Sequence, residues 1–250
     1  MPFTFSHTAF SLLFYKQIRT KKLSATGLIL GCMAPDFEYF LRMKMQGDWG
    51  HQWWGMLFLD VPMAFCIALL FHTYIRDVLI CYAPSCLKIR CIQYYQLNWL
   101  GYLKQHFIQV IISILLGILS HVLWDAFTHP HGYFVQHFAV LQQDIQLGSL
   151  HLPFYKIGQH GSSILGLLLV VIYLYKLPKS MLTPSLSGLR YRDYWGGILL
   201  CFSCSSALWA WINPDLMWKI GHVVVASIAC LFWSILVMSI YMMRKKKTFV

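Results

Sequence analysis

The stretch from Phe107 to Gly132 reads FIQVIISILLGILSHVLWDAFTHPHG. Its first half, Phe107 to Leu119, is an apolar run that predicts a buried or membrane helix. His121 and Asp125 lie four residues apart, so on a helix they project from one face, one turn above the other. His129 follows after another four, and Pro130 ends the helix. An imidazole and a carboxylate at the end of an apolar helix are costly to desolvate unless something pairs them. A divalent metal is one such partner, and a histidine–aspartate hydrogen bond at a lipid–water boundary is another.

Composition fixes the solvent. Of 250 residues, 58% are hydrophobic and 12% charged, and the mean hydropathy is +0.57. A soluble domain carries roughly twice that share of charge, so the chain reads as a multi-pass membrane protein. The net charge of +11 fits basic cytoplasmic loops. No basic face or aromatic-basic module points to nucleic acid. The opening MPFTFSH has neither a basic n-region nor an A-x-A site, so insertion by the chain's own helices is expected, with no cleaved signal. The Cys201/Cys204 pair sits inside an apolar run, without a second pair or a loop, and reads as small filler.

Working outward, the expected fold is all-α: a polytopic helical bundle of about five full spans plus an N-terminal helical hairpin, in one membrane domain over 1–250. The hairpin and the His51 turn take 1–55. Its second arm is rich in small residues (LSATGLILGCM, Leu23 to Met33), which permits close helix contact. The first two spans, Met56 to Ile75 and Phe107 to Phe127, fall in 56–127, and a histidine-rich loop fills 128–161. The last three spans, Ser162 to Tyr175, Trp195 to Ile212 and Ile220 to Met243, and the basic tail Arg244 to Lys247 fill 162–250. The loops Lys88 to Lys104 and Lys176 to Arg192 and the tail are basic and alternate correctly, which predicts all three, and the C-terminus, to be cytoplasmic. Arg42 and Lys44 fall outside on this assignment. His7, Asp36, His51, His121, Asp125 and His129, from separate segments, then share the outer end. Imidazole and carboxylate suit zinc, manganese or iron. His72, His106 and His222 read as hydrogen-bonded helix contacts.

Several motifs resemble a known family. MPFTFSH, GCMAPDFEYF, His51, SHVLWDAFTHPHGYF and YKIGQHGSSILG are similar to an uncharacterised bacterial membrane family, domain of unknown function number 4184. The pattern also looks like a distant relative of the LexA-regulated inner-membrane metal-dependent hydrolases, which carry an N-terminal T-H, a P-D-x-D, an H-R-x-x-T-H-S and an H-x-x-x-D motif. Ser6-His7, Pro35-Asp36, His51 and His121 with Asp125 match these in turn. Glu38 stands where the second acid of P-D-x-D would be, and His51 lacks its motif's context. The resemblance implies a metal-dependent hydrolase in a bacterial inner membrane.

The expectation is therefore a divalent transition metal, zinc or manganese, held by His7, Asp36, His51, His121 and Asp125. His129 and His160 are expected as acid/base groups, and Gln159, Ser162 and Ser163 at the mouth of the third span as substrate contacts. The reaction expected is hydrolysis of an ester or phosphoester of an amphiphilic lipid or lipid-linked substrate at the extracytoplasmic face. The rivals are a transporter, a haem-binding carrier and a non-catalytic metal-binding or scaffold protein. A transporter path needs polar residues continuing toward the cytoplasmic ends, where the spans are apolar apart from His72 and the cysteines.

Overall fold

The computed structural model describes residues 3–147, 150–180 and 190–248. Two residues of the loop expected at 128–161, and part of the basic stretch expected at Lys176 to Arg192, fall outside them. Five helices are long and apolar enough to cross a membrane: Trp53–Tyr82, Phe107–His137, Phe154–Lys176, Tyr191–Ile212 and Ile220–Lys245. The chain is an all-α, multi-pass membrane protein. Among the described residues, beyond the helices, there is one small antiparallel hairpin, Asp144–Leu147 with Leu150–Pro153. Many outward side chains of the spans are apolar and exposed, among them Ile164, Leu199 and Trp211, as lipid-facing surfaces require.

The third span begins at Phe154, eight residues before the expected Ser162. The polar run Gln159 to Ser163 lowers the hydropathy there but does not break the helix. The hydroxyls of Ser162 and Ser163 donate back to the Gln159 carbonyl at 3.2 and 2.8 Å, satisfying themselves inside the helix. The first span carries two π-helical turns, Met56–Asp60 and Phe71–Ile75. Such turns insert one extra residue per loop of helix and redirect the side chains they carry.

The chain forms two compact units. One comprises Met1–Asp36, Asp48–Phe65 and Tyr102–Tyr173; the other Phe37–Gly47, Cys66–Gly101 and Leu174–Val250. In the first, the N-terminal hairpin consists of a 3₁₀ helix, Thr4–Phe14, running into Tyr15–Arg19, and the short helix Ala25–Gly31. Eleven residues is long for a 3₁₀ helix. Hydroxyls of Ser6, Thr8 and Ser11 donate to the carbonyls three residues back, which suits the three-residue turn. The Ala25–Gly31 helix lies against the second span. Ser24 N–H donates to Ser113 Oγ at 2.7 Å, and Cys32 Sγ meets Ser120 Oγ at 3.5 Å two turns further along. Glycine makes the approach possible. A Cβ on Gly31 would run into the Ile114 carbonyl, and one on Gly117 would lie 2.6 Å from the Leu28 carbonyl oxygen. The 3₁₀ helix docks on the third span, where Phe3 N–H donates to Ser163 Oγ at 3.0 Å.

In the second unit the fourth and fifth spans pack around Tyr194, Ile198, Met238 and Met242, with Val78, Cys81 and Tyr82 from the first span. Arg76, buried at the end of that span, is held by His72 Nδ1 at 3.0 Å, by the Leu97 carbonyl at 2.8 Å and by Asp77 at 2.7 Å. His222 Nδ1 accepts from Met45 N–H at 3.2 Å. His72 and His222 thus serve as helix contacts. None of the eight cysteines is in a disulfide.

Replacing Gly31 by valine should overpack the contact with the second span and cost about 1–3 kcal/mol, seen as a lower thermal unfolding midpoint in detergent. Gly158→Ala, where an added Cβ meets nothing within 4 Å, should leave the midpoint unchanged or raise it.

Candidate metal centre

The five side chains expected as ligands come together inside the first unit. His121 and Asp125 project from one face of the second span, in its continuous helix Phe107–Thr128; Pro130 interrupts the span there, and helix resumes over Tyr133–His137. His7 arrives from the N-terminal 3₁₀ helix, where Thr4 and His7, three residues apart, eclipse each other and are both buried. Asp36 sits in the tight turn after Pro35, and His51 in the turn just before the first span.

His121 Nε2 lies 3.3 Å from Asp125 Oδ2 and 3.7 Å from Asp36 Oδ1. His7 Nε2 is 3.6 Å from Asp125 Oδ1, and His51 Nε2 is 3.6 Å from Asp125 Oδ2. These exceed the roughly 2.7–3.2 Å of a nitrogen–oxygen hydrogen bond. They match the edges of a coordination shell, because an ion bonded at roughly 2.0–2.2 Å holds its ligand atoms about 3–3.5 Å apart. His7 Nε2, Asp36 Oδ1, His121 Nε2 and Asp125 Oδ1 are all buried and have no hydrogen-bond partner. Orphaned polar atoms are rare in protein interiors, and an unplaced ion is one standard reason for them. Two trios are close enough to hold an ion, His7–His121–Asp125 and Asp36–His51–His121.

The surrounding groups leave these atoms available. His121 Nδ1–H donates to the Cys32 carbonyl at 2.7 Å, which fixes the tautomer and turns the Nε2 lone pair inward. The Thr4 hydroxyl donates to Asp36 Oδ2, leaving Oδ1 free. Burial, with His121 alongside, pushes His7 down to about 3, so its imidazole is neutral, as a ligand must be. Burial pushes Asp36 up, against the charged form; a cation beside it reverses that balance.

His129 stands at the open edge. Its Nδ1–H donates to the Asp125 carbonyl at 3.2 Å and lies 3.5 Å from Asp125 Oδ1, with a quarter of the side chain exposed (25%). His51 is the other partly exposed member. His160 is exposed on the third span and enters neither metal-competent trio among the described residues. Gln159 is buried. The Ser162 hydroxyl accepts from Trp124 Nε1–H at 3.1 Å, and that of Ser163 from Phe3 N–H, so both already hold partners within the fold. Sequence reasoning missed Thr4, the Cys32 carbonyl and Asp60. Asp60 is fully buried on the π-helical turn of the first span, next to the point where Gly50 passes the Pro35 carbonyl. A lone carboxylate inside an apolar run was a visible signal for it.

The fold and the cluster define a polytopic membrane protein with a buried histidine–aspartate centre at one end of its second span. The chain belongs to the family described as a domain of unknown function (DUF4184), whose model matches residues 1–240. No curated protein and no solved structure matches it.

His121→Ala and Asp125→Ala should each abolish metal retention, measured by elemental analysis of the detergent-purified protein, while membrane insertion is kept. Thr4→Val should weaken metal affinity by about 10–100-fold, because Asp36 loses the hydroxyl that orients it.

Proposed function

We propose that the protein is a membrane-embedded metal-dependent hydrolase acting on an ester or phosphoester of an amphiphilic substrate. The observation that carries this reading is the cluster of imidazole and carboxylate atoms 3.3–3.7 Å apart around Asp125, in which His7 Nε2, Asp36 Oδ1, His121 Nε2 and Asp125 Oδ1 are buried without a hydrogen-bond partner. His7, Asp36, His51, His121 and Asp125 would hold the ion, zinc or manganese by their chemistry. Such an ion supplies Lewis acidity toward a carbonyl or phosphoryl oxygen and lowers the pKa of coordinated water.

The chain's own groups supply the rest. His51 and His129 border the exposed side, so substrate reaches the centre between them. The His129 Nδ1–H bond to the Asp125 carbonyl leaves Nε2 as the atom that accepts or returns a proton at that opening. His160, exposed and a member of neither trio, has no part in this reading. The centre follows the second span, and the basic stretch Lys88 to Lys104 precedes it. The positive-inside bias therefore supports a cytoplasmic C-terminus and a centre at the opposite, extracytoplasmic boundary, in a bacterial inner membrane if the resemblance in its motifs holds. At that depth a phospholipid or lipid-linked ester presents its polar bonds to the centre while its chains stay in the bilayer.

Metal-loaded protein in phospholipid micelles should release hydrolysis product, and chelation should stop it. His129→Ala should lower kcat by about 10²–10⁴-fold with the metal content unchanged. A metal-loaded protein that cleaves no ester or phosphoester lipid would sink the hydrolase reading and leave a metal-binding membrane protein.

A further inference from the structure

The two oxygens of Asp125 face different partners. Oδ2 lies against His121 and His51, at 3.3 and 3.6 Å, and Oδ1 against His7 and His129, at 3.6 and 3.5 Å. On the Oδ2 side, Asp36 Oδ1 and His51 complete a trio with His121. His121 has one nitrogen to give, because its Nδ1–H is committed to the Cys32 carbonyl. It therefore serves a single ion, and the trio on each side of Asp125 cannot share it.

The ring geometry points the same way. His7 and His121 stack with centroids 4.0 Å apart and planes 18° from parallel. Two imidazoles stacked face to face keep their in-plane Nε2 lone pairs in separate, nearly parallel planes, so the lone pairs do not converge on one point. An ion on one lone pair is therefore off-axis for the other. The stacking distance matches the roughly 3.5–4 Å between the ions of two-metal sites. Both Nε2 atoms are buried and unpartnered, and so is Asp125 Oδ1.

Resting on the metal-centre reading above, we propose that the cluster is a two-ion site bridged by Asp125. Asp36, His51, His121 and Asp125 Oδ2 hold the first ion. His7 and Asp125 Oδ1 hold the second, at the edge where His129 stands. The asymmetry has a functional sense. The first ion takes four protein donors. The second takes two and keeps positions for water and substrate, as an open catalytic position requires. The site would take two divalent cations, one held fully by the protein and one exchangeable.

The test uses the full-length protein, purified in detergent, stripped with chelator and reloaded with Mn(II) alone. Elemental analysis should give about two ions per chain, and electron paramagnetic resonance an exchange-coupled signal from a carboxylate-bridged pair. His7→Ala should hold about one ion and give an uncoupled six-line spectrum. A wild type with one uncoupled ion per chain overturns the two-ion site while the single-metal centre stands. A wild type that binds no ion overturns both. The wild-type measurement decides the matter even if His7→Ala does not fold.

Discussion

Asp125 is a carboxylate set in a cluster of imidazoles at the end of an apolar helix, and the first unit is built around the need to compensate it. With Asp36 it brings two buried acidic groups together in one place. Removing an ionised carboxylate from water costs several kcal/mol even after relaxation. Imidazoles held 3.3–3.7 Å away are too distant to offset that by short hydrogen bonds. A cation would, and it would also account for the donor atoms that four segments bring together and for the tying-off of His121 Nδ1 and Asp36 Oδ2.

The small-residue seam between the Ala25–Gly31 helix and the second span transmits this to the backbone. Without side chains at Gly31 and Gly117 the two helices close until the Cys32 carbonyl reaches His121 Nδ1. The same short helix runs straight into the Pro35-Asp36 turn, so one close contact orients His121 and delivers Asp36. The 3₁₀ form of the N-terminal segment does a matching job, since a three-residue turn places the Thr4 hydroxyl and the His7 ring on one side. Tightly packed glycine and hydroxyl residues hold the centre, and the lipid-facing spans give it depth.

Much of this could be read from the residues. Five apolar segments of adequate length fix the class, and the i, i+4 spacing of His121, Asp125 and His129 fixes their common face. The positive-inside bias gathered His7, Asp36 and His51 at the same end, and the fold places all three against the second span. What stayed hidden depends on tertiary contacts or unusual helix geometry. The hydroxyls of Ser162 and Ser163 look like exposed polar groups beside a loop; in the folded chain one accepts from Trp124 and the other from the N-terminal segment. Back-bonding within the Gln159 to Ser163 run kept helical a stretch that hydropathy assigns to a loop. Thr4 is a ligand-orienting residue only on a 3₁₀ helix, which no pattern announced. Asp60 is legible in the sequence as a carboxylate inside an apolar run.

X-ray absorption at the edge of the bound metal, on protein purified without chelator, tests the central claim most directly. The account predicts a shell of nitrogen and oxygen at roughly 2.0–2.2 Å with the outer scattering of imidazole rings. An edge no higher than background, or a first shell of sulfur at roughly 2.3 Å, would contradict it.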